Sequence, residues 1–178
     1  LAQIRAWKPD VIVVVAFGQF LKEELLNLPP LGCVNCHFSL LPKYRGASPV
    51  TAALLAGDAI TGVSVIRMGV GMDDGPVLLK QIEPIYMADT GDSLMDKLSI
   101  CGGVTLAKAL KLMAAGKLPP PEERKHILKN VGALSLHRLA TVVVRSSFLY
   151  FGTKAAPSRS YWAIFSSMAR RSGDFGIS

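Results

Sequence analysis

Residues 10–18, "DVIVVVAFG", constrain the fold more than any other stretch. Lys8-Pro9-Asp10 breaks any preceding helix, and residues 1–7 read as the end of one. An unbroken β-branched run follows and finishes at Gly18. A strand with one wet face would alternate apolar and polar residues. A run without alternation belongs to a strand buried on both faces, as in a parallel sheet between helical layers. The run is strand length, and no apolar segment reaches the ~18 to 20 residues that a membrane span needs.

The segments that follow keep to this layered plan. "FLKEELLNL" has helical spacing and stops at Pro29-Pro30. "CVNCHFS" alternates and reads as a second strand. "LLPKYRGASP" is a loop by its proline and glycine content. "SPVTAALLAG" predicts a helix with Ser48 as N-cap, Pro49 at the first helical position and Gly57 just past the end. "TGVSVIRMG" and "PVLLKQIEPI" are strand-like and predict an antiparallel pair across the turn "VGMDDG". A long helix follows, capped by Asp92 or Ser93. Its apolar positions are Leu94, Leu98, Leu106, Leu110 and Met113, and the Gly102-Gly103 pair weakens its middle. Pro119-Pro120-Pro121 marks a linker. The order βαβ, strand pair, closing helix gives an α/β architecture.

Charge separates the chain into two parts. Residues 1–120 hold 11 Lys/Arg and 10 Asp/Glu, whereas residues 121–178 hold 9 and 3, so nearly all of the net +7 lies in the last third. Such a tail suits tRNA or an anionic surface, and a merely biased segment has the same composition. Within it, "LATVVV" has strand character and "RSYWAIFSSMARR" has the pattern of an amphipathic helix. Three cysteines, Cys33, Cys36 and Cys101, give no disulfide framework and fit a reducing compartment.

Cys33-Val34-Asn35-Cys36-His37 spells the C-x-x-C-H spacing of c-type haem attachment. In a strand, however, Cys33 and Cys36 point to opposite faces, so one haem could not reach both. Asn35 and His37 share a face near the strand's end, the edge at which open α/β sheets bind ligands. An amide and an imidazole there can stabilise a developing oxyanion and move a proton. Asp73, in the later turn, can fix the imidazole. The bland alternative is a hydrogen-bonded histidine at a strand end and an aspartate serving a turn.

The stretch "NCHFSLLPKYRGASPVTAALLAGDAITGVSVIRMGVGMDDGPVLL" resembles the core of the folate-dependent formyltransferases. The family order is Asn-x-His-x-Ser-Leu-Leu-Pro, a basic and an aromatic residue, Arg-Gly-Ala, then Gly-Asp, Thr-Gly-Val and Met-x4-Asp-x-Gly. Asn35, His37, Ser39 to Pro42, Lys43 to Ala47, Gly57-Asp58, Thr61 to Val63, Met68, Asp73 and Gly75 follow that order. The resemblance covers roughly residues 1–118 and is strongest to the branch that formylates initiator methionyl-tRNA. It implies a Rossmann-like catalytic domain with 10-formyltetrahydrofolate as donor and the methionyl α-amino group as acceptor. Asn35 would donate to the oxyanion, His37 would stabilise it or shuttle the proton, and Asp73 would hold His37 and help take the amine proton. Ser39, Leu40, Leu41 and Pro42 would border the folate site, and Phe17, Gly18, Val70, Gly71 and Met72 would wall the pterin slot. Arg45 would meet the tRNA. No metal and no haem are expected, and a cytoplasmic (or organellar-matrix) monomer without membrane attachment is.

The alternatives within the class are sugar-nucleotide and purine-pathway formyltransferases and the formyl-folate hydrolases. Outside it stand the c-type haem protein and an inactive fragment that merely binds tRNA or folate. The family's domain begins before Leu1, so its N-terminal strands are expected to be missing here. Residues 119–178 do not match the family's linker and tRNA-gripping barrel. They are expected to be a non-homologous basic tail, of the kind a shifted reading frame produces.

Overall fold

The computed structural model describes residues 1–17 and 19–119. Gly18 and the basic tail, with its expected strand and amphipathic helix, lie outside the described residues. The elements are α1 (Ala2–Trp7), β1 (Ile12–Val14), α2 (Glu23–Leu26), β2 (Cys33–His37), α3 (Pro49–Leu55), β3 (Ile60–Arg67), β4 (Val77–Pro84) and α4 (Gly91–Ala114). They form a mixed α/β layer. The four strands lie in the order β1-β2-β3-β4, the first pair parallel and the other two antiparallel.

The β-branched run is buried on both faces, as its lack of alternation requires. Val11 and Val13 join the core beneath α4, while Ile12 and Val14 pack with Leu26 and Cys33 on the other face. The strand itself is short, three residues out of the predicted stretch. The expected helix after it shrinks to the single turn of α2, which supplies Leu26 to the second cluster.

The strand pair β3–β4 forms with the expected polarity. Its connection is tight because Gly75 packs directly on the backbone of Arg67. A Cβ at position 75 would lie 1.7 Å from the Arg67 carbonyl oxygen, so no other residue fits there without moving the chain.

Helix α4 covers one sheet face with Leu94, Leu98, Leu106, Leu110 and Met113, the positions its periodicity predicts. One expectation about it changes. Its cap is Thr90, neither Asp92 nor Ser93. The Thr90 hydroxyl accepts from the Ser93 amide at 3.2 Å, and the Ser93 hydroxyl accepts from the Thr90 amide at 2.9 Å, a reciprocal box. The helix also runs unbroken through Gly102-Gly103. Gly102 is needed for contact, since a Cβ there would stand 2.9 Å from the Cys36 sulfur. Helix α3 starts at Pro49 after Ser48, as predicted, although Ser48 makes no side-chain cap.

Candidate active site

The strand β2 sorts its residues as alternation demands. Val34 and Cys36 enter the core beneath α4, and Cys33 enters the opposite cluster. The two cysteines of the C-x-x-C-H motif therefore lie on opposite faces of the sheet. Burial pushes their thiols up, Cys33 to about 11 and Cys36 to about 12, so both stay protonated near neutral pH. Among the described residues, no group of three His, Cys, Asp or Glu side chains is placed to hold a metal ion.

Asn35 and His37 share one face of β2. His37 is buried and Asn35 half-buried. The pairing sets Arg67 opposite Val34 and Ser64 opposite His37, so β3 ends level with the start of β2. The β3–β4 connection therefore doubles back along the sheet face before it can reach His37. The Arg67 amide, donating to the Pro76 carbonyl at 3.0 Å, closes the base of this loop. Within it, Asp74 accepts from the Gly71 amide at 3.2 Å. Asp73 takes a left-handed conformation, φ 49°, which aspartate tolerates better than most residues.

The Asp73 carboxylate ends between the two β2 side chains. Its Oδ1 accepts from Asn35 Nδ2 at 3.5 Å, the outer limit of hydrogen bonding, and its Oδ2 lies 3.5 Å from His37 Nδ1. The same Oδ2 accepts from the Gly46 amide at 2.9 Å. On the other side of the ring, His37 Nε2 donates to the Tyr44 carbonyl at 2.8 Å. That oxygen can only accept, so Nε2 carries a proton. Nδ1, on the other edge of the ring, faces the Asp73 carboxylate. The trio is thus an amide donor and an imidazole bridged by one carboxylate, an arrangement able to stabilise an oxygen that gains negative charge.

The residues between β2 and α3 are held from beneath by Ser64. Its hydroxyl donates to the Ser39 carbonyl at 2.7 Å and accepts from the Leu41 amide at 3.0 Å. Ser39 and Leu41 are buried, and the Ser39 hydroxyl donates to the Lys43 carbonyl at 2.5 Å. These two shape the loop, whereas Leu40 is half-buried and Pro42 exposed. Lys80 of β4 donates to the Leu41 carbonyl. Of the expected pterin wall, Val70, Gly71 and Met72 lie exposed on the Asp73 loop, and the Met72 sulfur sits 3.4 Å from where a Cβ on Gly46 would be. Phe17 packs beside Ile12 and Val14, at the end of β1.

Sequence reasoning missed the backbone partners of the trio, the Tyr44 carbonyl and the Gly46 amide. These flank Arg45, whose side chain is exposed. The available signal was Gly46 in the loop: its φ of 102° lies in the region that favours glycine.

Residues 1–110 match the formyl transferase family. The chain is 50% identical over 117 residues to the methionyl-tRNA formyltransferase of Pseudomonas fluorescens strain Pf0-1, spanning 66% of this chain and 37% of that protein. It is 48% identical over 119 residues to that of Stutzerimonas stutzeri strain A1501, spanning 67% and 38%. The chain thus spans a little over a third of the length of these curated relatives. Among solved structures it resembles the phosphoribosylglycinamide formyltransferase of Bacillus halodurans, with 27% identity, a TM-score of 0.58, and 65% of this chain and 60% of that one covered. The same enzyme of Coxiella burnetii, solved in complex with CHES, gives 30% identity and a TM-score of 0.58 over 65% and 54%. With residues 1–110 matched, and with the Asn35–Asp73–His37 trio lying inside that span, the chain belongs to the formyl transferase family.

Proposed function

We propose that this chain carries the catalytic trio of an enzyme that moves a formyl group from 10-formyltetrahydrofolate to the α-amino group of initiator methionyl-tRNA. The observation that carries the reading is the Asp73 carboxylate held between Asn35 and His37. The choice of acceptor rests on the 48–50% identity to enzymes named for methionyl-tRNA.

The chemistry asked of the residues is modest. Attack of an amine on a formyl carbon puts negative charge on the formyl oxygen and leaves a proton to remove. Asn35 Nδ2 donates to that oxygen, and the His37 imidazole beside it stabilises the charge or passes the proton. Asp73 orients the imidazole and takes the amine proton directly or through water. When the oxyanion collapses, the bond from the formyl carbon to the folate N10 breaks, the proton passes to N10, and tetrahydrofolate leaves. No protein nucleophile is required, so the rate comes from proximity and from fixed donors, each worth about 3 to 4 kcal/mol when removed. The exposed apolar side chains of Val70 and Met72, on the loop that presents Asp73, suit the flat ring system of a folate donor. Arg45, exposed and next to the trio, suits the phosphates of the acceptor tRNA. Such an enzyme works in the cytoplasm beside the translation machinery. No helix among the described residues is long and apolar enough to cross a membrane.

The test is a formyl-transfer assay with the intact protein, its labelled folate donor and initiator methionyl-tRNA. His37→Ala is expected to lower kcat by about 100-fold. A near-parental rate in that variant would remove the role given to His37. Transfer to glycinamide ribonucleotide or a sugar nucleotide in place of the tRNA would move the chain to another branch of the family.

A further inference from the structure

Tyr44 is a costly residue at its position. Its φ of 56° lies in the left-handed region, which bulky side chains avoid. The conformation turns its carbonyl onto His37 Nε2. Something must hold it there, and the hydrogen bonds identify what does. The Tyr44 hydroxyl donates to Asp58 Oδ2 at 2.8 Å. Lys43, the preceding residue, donates to both Asp58 oxygens, at 2.8 and 2.7 Å. The Lys43 ammonium also stands 4.9 Å from the centre of the Tyr44 ring. One carboxylate therefore gathers two consecutive side chains of the loop.

Asp58 is itself fixed by rigid elements. It lies in the short connection between α3 and β3, and its amide donates to the Ala53 carbonyl at 3.1 Å. Only 18% of its side chain is exposed, so its acceptors are spent on the loop more than on water. The Lys43 ammonium, followed by the Tyr44 hydroxyl, holds the Asp58 carboxyl below its ordinary value, and Lys43 is raised in turn by Asp58.

We infer that Asp58 is a positioning residue: by holding Lys43 and the Tyr44 hydroxyl, it aims the Tyr44 carbonyl at His37 Nε2 and so fixes the orientation of the ring. It touches neither substrate nor the reacting atoms. The inference rests on the reading of His37 as the group that stabilises charge, but its geometry can be tested without turnover.

The experiment records the imidazole 15N and NH signals of His37 in the intact protein, assigned against His126 and His137 with a His37→Gln variant. The same spectra are taken for Asp58→Asn and Tyr44→Phe. The parental protein is expected to show Nε2 as a protonated, hydrogen-bonded donor with slow proton exchange. Both variants are expected to shift that signal and speed its exchange, Tyr44→Phe by less because Lys43 still holds Asp58. In the formyl-transfer assay, Asp58→Asn is expected to lower kcat by about 10-fold with KM for donor and tRNA within about twofold. A His37 signal unchanged in both variants would overturn the proposal. If Asp58→Asn fails to fold, Tyr44→Phe decides alone, because it removes one hydroxyl and no charge. If the parental protein transfers no formyl group, the proposed function fails while the ring signals still decide the role of Asp58.

Discussion

Asp73 lies 3.5 Å from His37 although the two reach each other from opposite directions. His37 closes β2, and Asp73 comes from a loop that begins at the other end of that strand and folds back along its face. Packing of the loop therefore sets the approach of carboxylate to ring as much as the identity of either residue.

Asp73→Asn separates these contributions. The amide keeps an acceptor for the Gly46 N–H, and asparagine tolerates the left-handed φ as well as aspartate does. What is lost is the negative charge beside His37 and the second oxygen, which accepts the long hydrogen bond from Asn35. The expected outcome is a kcat reduced by about 100-fold with a near-parental unfolding midpoint. Urea titration beside the transfer assay checks both halves. A large stability loss with activity intact would mean that Asp73 only braces the loop.

Gly102→Ala is expected to destabilise the domain although alanine favours helix. The gain in helix propensity is about 1 kcal/mol, and overpacking costs about 1–3 kcal/mol. The added carbon would stand 2.9 Å from the Cys36 sulfur and 3.1 Å from the Phe38 ring. Gly91→Ala, at a position where nothing lies within 4 Å, serves as the control and is expected to be neutral or stabilising. Urea midpoints of the two variants would rank them.

The three thiols are expected to be nearly inert in the folded protein. Burial pushes Cys33 and Cys101 up to about 11 and Cys36 to about 12. At pH 8 only a small fraction is thiolate, the reactive form. A disulfide reagent that gives a chromophore should react slowly with native protein and take up three equivalents once it is unfolded. Rapid reaction of one equivalent would show a thiol more open than this packing allows.

Two carboxyl groups link stability to acid. Lys43, then Tyr44, holds Asp58 below its ordinary value of 3.8, and Lys97, then the Tyr86 amide, does the same for Asp89. A depressed carboxyl stabilises the fold at pH values above its unfolded value, and that contribution is lost as pH falls through the folded one. Stability is therefore expected to fall below about pH 4. The Asp58→Asn, Asp89→Asn double variant should show a shallower decline over the same range. Urea midpoints measured from pH 6 downward would test the slope.

The sequence carried most of the frame. The run at 11–15 specified a strand covered on both faces, and the alternation of 33–37 placed the cysteines apart and Asn35 with His37. Both signals are local. What escaped the reading is longer in range. Thr90 rather than Asp92 or Ser93 caps α4, because the box is recognised only when both of its hydrogen bonds form. Gly102 reads as a weakness until β2 is brought against it. The Tyr44 carbonyl and Gly46 amide carry no side-chain signature of their role, since any residue supplies such groups and only the backbone path aims them. Family resemblance located Asp73 at the site, but spacing did not reveal the return path that takes it there.

Arg45 stands between two main-chain tethers, one to the imidazole of the trio and one to its carboxylate. Neither tether depends on what side chain position 45 bears. On the proposed function, two tasks are separate along the chain: the peptide groups on either side serve reactivity, and the exposed group between them remains open to selection for whatever acceptor must be grasped. Changes of clientele at this position would leave the reactive geometry standing.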